Sequence, residues 1–448
     1  MRTSQTDVRG SRGAERISAE DAARLVRSGD WVDYGFGLGQ PDDFDRALAA
    51  RRGELRDVKI RSSFSLRPRA VVDADPTGEA FRFLSWHFSG LDRGTHDRGL
   101  CDYIPMNFGE APDDYRRFVD PVDVVCIKTC PRDDHGYYNF GAAVTYHRAM
   151  VERARRVVVE TCEAMPYVYG SQESVHESEV DFVVEGAPVP LAEAENPAAT
   201  EVDRRVAELI AAEIESGACL QIGIGGMPNA VCGLLKEAGI RDLGIHTEML
   251  VDGMIDLVEA GLVTGAHKRL NRYELVFTFA FGTRRQYDFI HRNPQVRSYP
   301  VDYTNLPHNI MQNDRVVSIN NTTQIDLQGQ VASESSGHRH LTGTGGQLQF
   351  VRGAYASEGG KSFLCLSSVY ERHGRRETRI ACALTPGNVV TTPRTDVMYV
   401  VSEYGIVNLK GKSVAERAKL LISIAHPDFR EPLERQARDL KILPKGFC

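Results

Sequence analysis

The sequence predicts an α/β protein made of two tandem, similar open domains with mostly parallel sheets. Three observations predict it. Apolar, strand-like runs alternate with amphipathic helical stretches along most of the chain, the βαβ pattern of a parallel sheet covered by helices. The stretch Ser28–Pro41, SGDWVDYGFGLGQP, recurs as Ser216–Pro228, SGACLQIGIGGMP, at an offset of 188 residues. Each copy has a helical pattern before and after it, and a repeat that long indicates a duplicated domain rather than a solenoid. Between the copies, Gly186–Thr200 (GAPVPLAEAENPAAT) carries three prolines and no apolar periodicity, so the expected domains are 1–190 and 200–448.

The bulk properties agree. At 448 residues the chain exceeds what one core supports. A net charge of −7 and a pI near 6.0 exclude the basic surface of a nucleic-acid binder. The pairs Arg51-Arg52 and Arg375-Arg376 have acidic neighbours and read as solvated surface. No run reaches transmembrane length, and the N-terminal MRTSQTDVRGSRGAERIS has no apolar signal core, so the expectation is a cytoplasmic protein without a membrane partner. Asp7 and Glu15 count against a transit peptide. Nine cysteines lack regular spacing, and Cys126, Cys219, Cys232, Cys365 and Cys382 sit in apolar runs, which suits reduced thiols. Cys126 and Cys130 fall in the strand VDVVCIKTC with no second pair nearby, so no metal is assigned.

In chain order, Ile17–Arg27 is amphipathic, with Ser18 as N-cap and Glu20 and Asp21 in its first turn. Strands follow at Trp31–Tyr34, Val58–Leu66, Val122–Cys130 and Arg156–Thr161, with a polar, aromatic loop region around Trp86–Tyr103. The turn Asp133–Phe140 holds His135 beside Tyr137 and Tyr138, a ligand-facing group or simply a surface turn. In the second half, Ala218–Ile222 is a buried strand, Leu243–His246 another, and Leu275–Phe281 and Val316–Asp326 flank a helix at Arg284–Ile290. Phe350–Arg352, Ser362–Ser367 and Val397–Val401 continue the strands, and Ser413 with Glu416 forms a capping box for the helix Val414–Ala425.

The chemistry concentrates between Ser216 and Asp256. Gly223, Ile224, Gly225, Gly226 and Met227 form a glycine turn from strand to helix, with Pro228 where a first helical turn tolerates it. It is neither a dinucleotide fingerprint nor a Walker loop, and a tight turn needs glycine on conformational grounds alone. A second turn, Gly343–Thr344–Gly345–Gly346–Gln347, adds backbone donors of the kind that hold an oxyanion. Glu248, past the strand that ends at His246, stands on the carboxyl rim where open α/β sheets bind ligands. It reads as a nucleophile or base, and equally as a cap of the following helix dipole. Glu334 in SESSG is the competing carboxylate, and His246 reads as a packed strand residue. Lys361 in GGKS would pair with phosphate or be a solvated lysine, and Glu403 in VSEYG ends a strand on the same rim.

GIGGMPNAV, LGIHTEMLVDGMIDL, YPVDYTNLPH, SESSG, TGTGGQLQFVRGAY, GGKSF, VSEYGIVNLKGKS and ISIAHPDF together resemble the class I coenzyme A-transferases. Within them the likeness is to the acetyl-CoA hydrolase/transferase branch, nearest its butyryl-CoA:acetate group, then the 4-hydroxybutyrate CoA-transferases. The likeness spans the chain, densest after Gly223 and looser before Val122. It implies a CoA-transferase (NagB-like) fold and ping-pong exchange of CoA between a short-chain acyl-CoA and acetate. Glu248 matches the glutamate that forms an acyl anhydride and then a glutamyl-CoA thioester, which decides between it and Glu334. Gly223–Met227 match a CoA-contacting loop with an oxyanion N–H near Ile224, and Gly345 and Gly346 the turn at the thioester. Asn305 resembles the asparagine that positions the carboxylate acid, Glu403 an acid-site glutamate, and Lys361 a CoA-contacting lysine. Coenzyme A is then a substrate and no cofactor is expected; a homo-oligomer, as a dimer, is implied. The Arg-rich N-terminus and the C-terminal RDLKILPKGFC depart from the family without touching these motifs. Hydrolysis on the same scaffold and a non-catalytic CoA-binding protein are the alternative readings.

Overall fold

Two sheets organise the chain in a computed structural model that describes residues 13–194, 197–223, 225–372 and 374–446. The first has eight strands, in the order Glu15–Arg16, Phe182–Glu185, Arg156–Thr161, Val124–Thr129, Trp31–Phe36, Val58–Ser63, Phe81–Ser85 and Cys101–Tyr103. Every neighbouring pair is parallel. The second has six, in the order Gly244–Ile245, Cys219–Ile222, Val316–Asn321, Lys361–Cys365, Tyr399–Ser402 and Gly405–Asn408, and only the last pair is antiparallel. Their strands are apolar on both faces, as a sheet covered on both sides requires: Val124, Val125, Cys126 and Ile127 are all buried, as are Cys219, Leu220 and Ile222.

The repeat has a structural counterpart. Trp31–Phe36 and Cys219–Ile222 begin 188 residues apart, and each lies inside its sheet with partners on both sides. In the first sheet the chain leaves Trp31–Phe36 and its neighbour Val124–Thr129 toward opposite edges, and in the second it does so from Cys219–Ile222 and Val316–Asn321, so the carboxyl ends of each pair form a topological switch point, where open sheets form crevices. The helix Glu201–Ala211 precedes the second copy, capped by Thr200 with Asp203, and Gly226–Glu237 follows it. Ser18 caps Ala19–Arg24 by accepting from the Asp21 N–H, and Ser413 and Glu416 form the reciprocal box on Val414–Ser423.

Some elements differ from expectation. Val58–Leu66 stops at Ser63, because Phe64 turns into the left-handed region at φ 57°. Leu275–Phe281 is broken at Thr278 into Leu275–Phe277 and Phe279–Ala280, which pair with different partners, Val296–Ser298 and Met249–Leu250. Phe350–Arg352, read as strand, lies inside the helix Gln347–Ala356, where Phe350 and Val351 are buried and Arg352 is exposed; the helix starts directly after the second glycine turn. The turn at His135 is exposed, and Tyr137–Asn139 pairs with Ser174–His176, so the surface-turn reading holds there.

A continuous core runs from Phe36 and Tyr146 in the first half through Leu220, Met254 and Phe277 in the second, so the halves share buried apolar contact. The eight described cysteines from Cys101 to Cys382 are free and buried. Among the described residues no helix is long and apolar enough to cross a membrane.

Candidate active site

The strand Gly244–Ile245 runs parallel to Cys219–Ile222 with Ile245 opposite Leu220, so Gly223 and Glu248 both leave the sheet at its carboxyl rim. Past Ile245 the chain departs from the sheet: His246 bridges to Val276, and Met249–Leu250 pairs with Phe279–Ala280. The Glu248 carbonyl accepts from the N–H groups of Thr278 (3.0 Å) and Phe279 (3.2 Å), which fixes its backbone from the far side.

Two donors converge on the carboxylate. Asn305 Nδ2 donates to Glu248 Oε2 at 2.5 Å, and the Gly346 N–H donates to the same carboxylate. Asn305 is fully buried at the end of the short helix Val301–Asn305, and Thr304 Oγ1 donates to its Oδ1 at 3.0 Å, which orients the amide. His246, two residues before Glu248, supports this helix: its Nε2 lies 2.8 Å from the Thr304 carbonyl. Burial, helped by the charge of Lys268, pushes His246 down to about 3, so the ring is neutral and its Nε2–H donates. Lys268 is itself buried, and its ammonium donates to the carbonyls of Ile245 (3.0 Å) and Glu274 (2.7 Å), stitching the strand before Glu248 in place.

The second glycine turn is glycine for steric reasons. A Cβ on Gly346 would lie 2.3 Å from Glu248 Oε2 and 2.4 Å from Asn305 Nδ2, and one on Gly343 would lie 2.3 Å from the Trp86 carbonyl oxygen. Gly345 has φ 56°, in the left-handed region where side chains are strained. Glu334, the rival carboxylate, is spent on this turn: its Oε2 accepts from Thr344 Oγ1 (2.9 Å) and Tyr103 OH (3.2 Å), and its Oε1 from Thr391 Oγ1 (3.0 Å). A carboxylate saturated by three hydroxyls and buried has a structural task.

The first half closes over the turn. The Phe108 N–H donates to the Gly345 carbonyl (3.1 Å), the Gly109 N–H donates to Gln349 Oε1 (2.9 Å), and His87 Nε2 lies 3.0 Å from Thr342 Oγ1. Burial holds His87 at about 4, hence neutral. Sequence reasoning assigned no role to His87, Tyr103, Phe108, Gly109 or Gln349. The aromatic loop at Trp86–Tyr103 was visible, but its pairing with residues some 240 positions away has no local signal.

Electrostatically the site is poised. Desolvation raises Glu248 from 4.5 to about 7, against the lowering effects of the Asn305 and Gly346 donors. The residue is half-buried and keeps an accessible edge. A carboxylate with an elevated affinity for protons and room for a reactant is a strong oxygen nucleophile near neutral pH.

The other anticipated residues are placed as follows. Gly223 stands at the end of Cys219–Ile222, Gly225 has φ 121°, and Gly226 and Met227 open the helix Gly226–Glu237, whose N-terminus faces the rim. Ile224 lies outside the described residues. Glu403 follows the strand Tyr399–Ser402 on the same rim, and its carboxylate accepts from the Ser368 N–H (2.9 Å) and Oγ (2.6 Å). Lys361 is a correction. It opens its strand at the amino end, opposite the rim, where Nζ donates to the Glu213 carbonyl and carboxylate at 2.9 Å. Direction along a parallel strand decides this: only the residues after a strand reach the rim. Among the described residues no His, Cys, Asp and Glu cluster could hold a metal.

Comparison with known proteins matches this geometry to a family. The acetyl-CoA hydrolase/transferase N-terminal domain matches residues 2–193 and the acetyl-CoA hydrolase/transferase C-terminal domain residues 282–437, with Glu248 in the stretch between. The butyryl-CoA:acetate CoA-transferase of Anaerostipes caccae is 44% identical over 95% of this chain and 96% of its own. The crystal structure of RipA from Yersinia pestis superposes with a TM-score of 0.87 at 37% identity, covering 96% of this chain and 98% of that one. That of 4-hydroxybutyrate CoA-transferase from Porphyromonas gingivalis does so with a TM-score of 0.76 at 31% identity, covering 95% and 98%. The chain belongs to the acetyl-CoA hydrolase/transferase family.

Proposed function

We propose that the protein transfers coenzyme A between a short-chain acyl-CoA, of butyryl type, and acetate, with Glu248 as nucleophile. The observation that carries this reading is the half-buried Glu248 carboxylate, held by Asn305 and Gly346 with one edge open. A Glu248 oxygen adds to the thioester carbonyl, and backbone N–H groups of the glycine turns stabilise the oxyanion. The C–S bond breaks and CoA leaves as thiolate, giving an acyl-glutamyl anhydride. The thiolate then adds to the glutamyl carbonyl and expels the acyl group as free carboxylate, leaving the enzyme as a glutamyl-CoA thioester. Acetate reverses the sequence and departs as acetyl-CoA, so the kinetics are ping-pong. The scheme balances without a metal or cofactor, since the thioester is already activated.

Residues 1–190 and 200–448 are the two domains of this reading, with Gly223–Met227 contacting CoA and Glu403 serving the acid end. A cytoplasmic homodimer completes it; the free, buried thiols suit a reducing compartment. One methylene in an apolar pocket changes acyl selectivity by only about 1–3 kcal/mol, and 4-hydroxybutyryl-CoA is the second candidate substrate. The test is product analysis of pure protein with butyryl-CoA, with and without acetate. Acetyl-CoA and butyrate formed only with acetate support transfer. Free CoA accumulating without acetate would make the protein a hydrolase and overturn the reading.

A further inference from the structure

Beyond the glycine turns, the carboxyl rim of the second sheet carries a polar cavity of about 480 Å³, lined by Thr323, Gln324, Ser335, Tyr370, Arg379 and Asn388 among others. Arg379 is half-buried on it. Its Nε donates to Ser367 Oγ at 3.2 Å and its Nη1 to the Thr323 carbonyl at 3.1 Å, and the guanidinium stacks 4.9 Å from the Tyr370 ring centre. Those contacts fix the plane of the fork without neutralising it. Among the described residues no carboxylate lies within ion-pair distance of Arg379, whereas the buried Arg61 and Arg69 each pair with an aspartate, Asp33 and Asp42. Glu377 also lines the cavity, but it accepts from the Tyr370 hydroxyl, which turns it into a support for the stacking ring. Burial lowers the Arg379 pKa, the cost of desolvating a cation that has no counter-ion. A guanidinium held rigid, half-desolvated and unpaired is the usual recognition element for a phosphate.

Its location gives the phosphate a source. Thr323 and Ser367 follow the strands Val316–Asn321 and Lys361–Cys365, so Arg379 stands three strands along the rim from Glu248, about 14 Å at ordinary strand spacing. The path passes the first glycine turn, and a Cβ on Gly225 would lie 4.0 Å from Asn321 Nδ2. Ser335, on the cavity wall, follows the Glu334 that braces Thr344 beside Glu248. A phosphopantetheine arm with its thioester at Glu248 has the reach to bring its nucleotide end to this cavity.

We propose that Arg379 binds a phosphate group of the coenzyme A nucleotide, and that the cavity over Thr323 and Tyr370 is the subsite for that end of the substrate. The inference rests on the transferase reading. Its test compares wild type, Arg379→Ala and Arg379→Lys with butyryl-CoA and with butyryl-pantetheine, which lacks every nucleotide phosphate. Loss of a charge-assisted contact is expected to raise KM for butyryl-CoA about tenfold or more, with KM for butyryl-pantetheine unmoved. Arg379→Lys, which keeps the charge without the fork and spares the fold, gives a smaller rise with the same selectivity. An equal rise for both substrates, or none for butyryl-CoA, overturns the proposal. Butyryl-3′-dephospho-CoA separates the sources: a penalty that persists assigns the diphosphate, and one that disappears assigns the 3′-phosphate. Calorimetric titration with free CoA keeps the two readings apart. Weakened binding to Arg379→Ala supports the subsite even if wild type shows no exchange, and unweakened binding refutes it even if exchange is brisk.

Discussion

Replacing Glu248 with Gln exchanges an ionisable oxygen for an amide of the same shape, which makes it a probe of charge rather than packing. Folded Glu248 titrates at about 7 against an ordinary 4.5. Below pH 4.5 the group is protonated in both states and costs nothing. As pH rises the unfolded chain ionises first, while the folded chain keeps its proton until about pH 7. The native state therefore binds more protons across that window, and stability falls as pH rises through it. The gap between 4.5 and about 7 corresponds to about 3 kcal/mol, present in full above pH 7 and absent below 4.5. Glu248→Gln has no such slope.

The assay is denaturant unfolding of both proteins at a series of pH values from 5 to 8, read as the difference between them so that other titrations cancel. The variant is expected to gain on wild type as pH rises, by up to about 3 kcal/mol. In the proposed mechanism the same ionisation governs chemistry, because only the carboxylate attacks. Wild-type kcat/KM is expected to fall on the acid side with an apparent pKa near 7, and Glu248→Gln to lose exchange at every pH. Parallel stability curves together with a rate that stays flat down to pH 5 would refute the assignment of the perturbed carboxylate to the nucleophile.

Two further outcomes follow from the same contacts. Gly346→Ala puts a methyl 2.3 Å from Glu248 Oε2, displacing the carboxylate proposed as nucleophile; exchange should drop about a hundredfold with an unchanged circular dichroism spectrum, and full activity would mean the turn does not abut the reacting group. Asn305→Ala removes a donor that favours ionised Glu248, so the acid limb of the rate profile should move above 7 and kcat/KM fall about tenfold; an unmoved limb would show that Asn305 does not hold the charge.

What the sequence made legible was local. The strand, glycine turn and helix from Cys219 to Glu237, the cap at Ser413 and the helix Arg284–Ile290 are encoded within a few residues of themselves, and the structure returns them. The motifs that carry the resemblance contain Glu248 and Asn305, and the 2.5 Å contact between them joins two motifs 57 residues apart. Three things were not legible, each for a stated reason. The helix Gln347–Ala356 hides behind a short β-like run, because its apolar side is buried. Lys361 was drawn toward the ligand by its glycine neighbours, while the direction of its strand takes it to the opposite edge. The covering residues from the first half, Tyr103 and Gly109, meet the second only through tertiary folding.

The duplication sharpens the argument for where chemistry occurs. Both sheets gather carboxylates along their carboxyl rims, but with different partners. At the first, Glu160 accepts from the N–H groups of Asp42 (2.7 Å), Asp43 (3.0 Å) and Phe44 (2.9 Å), closing the start of the helix Asp43–Ala50. Burial would raise Asp42, yet Lys128, Arg69 and Arg67 outweigh it and hold the group down at about 2. Asp42 is thus locked in the charged form by fixed cationic partners, and Glu160, which burial pushes up, is tied to three backbone N–H groups; both suit a brace. At the second, two neutral donors leave Glu248 near 7 with an open edge, so the charge it still lacks partners for is the charge a reaction can use. The first sheet's side of the chain closes on the second glycine turn, through Tyr103, Phe108 and Gly109, and that turn holds the Glu248 carboxylate.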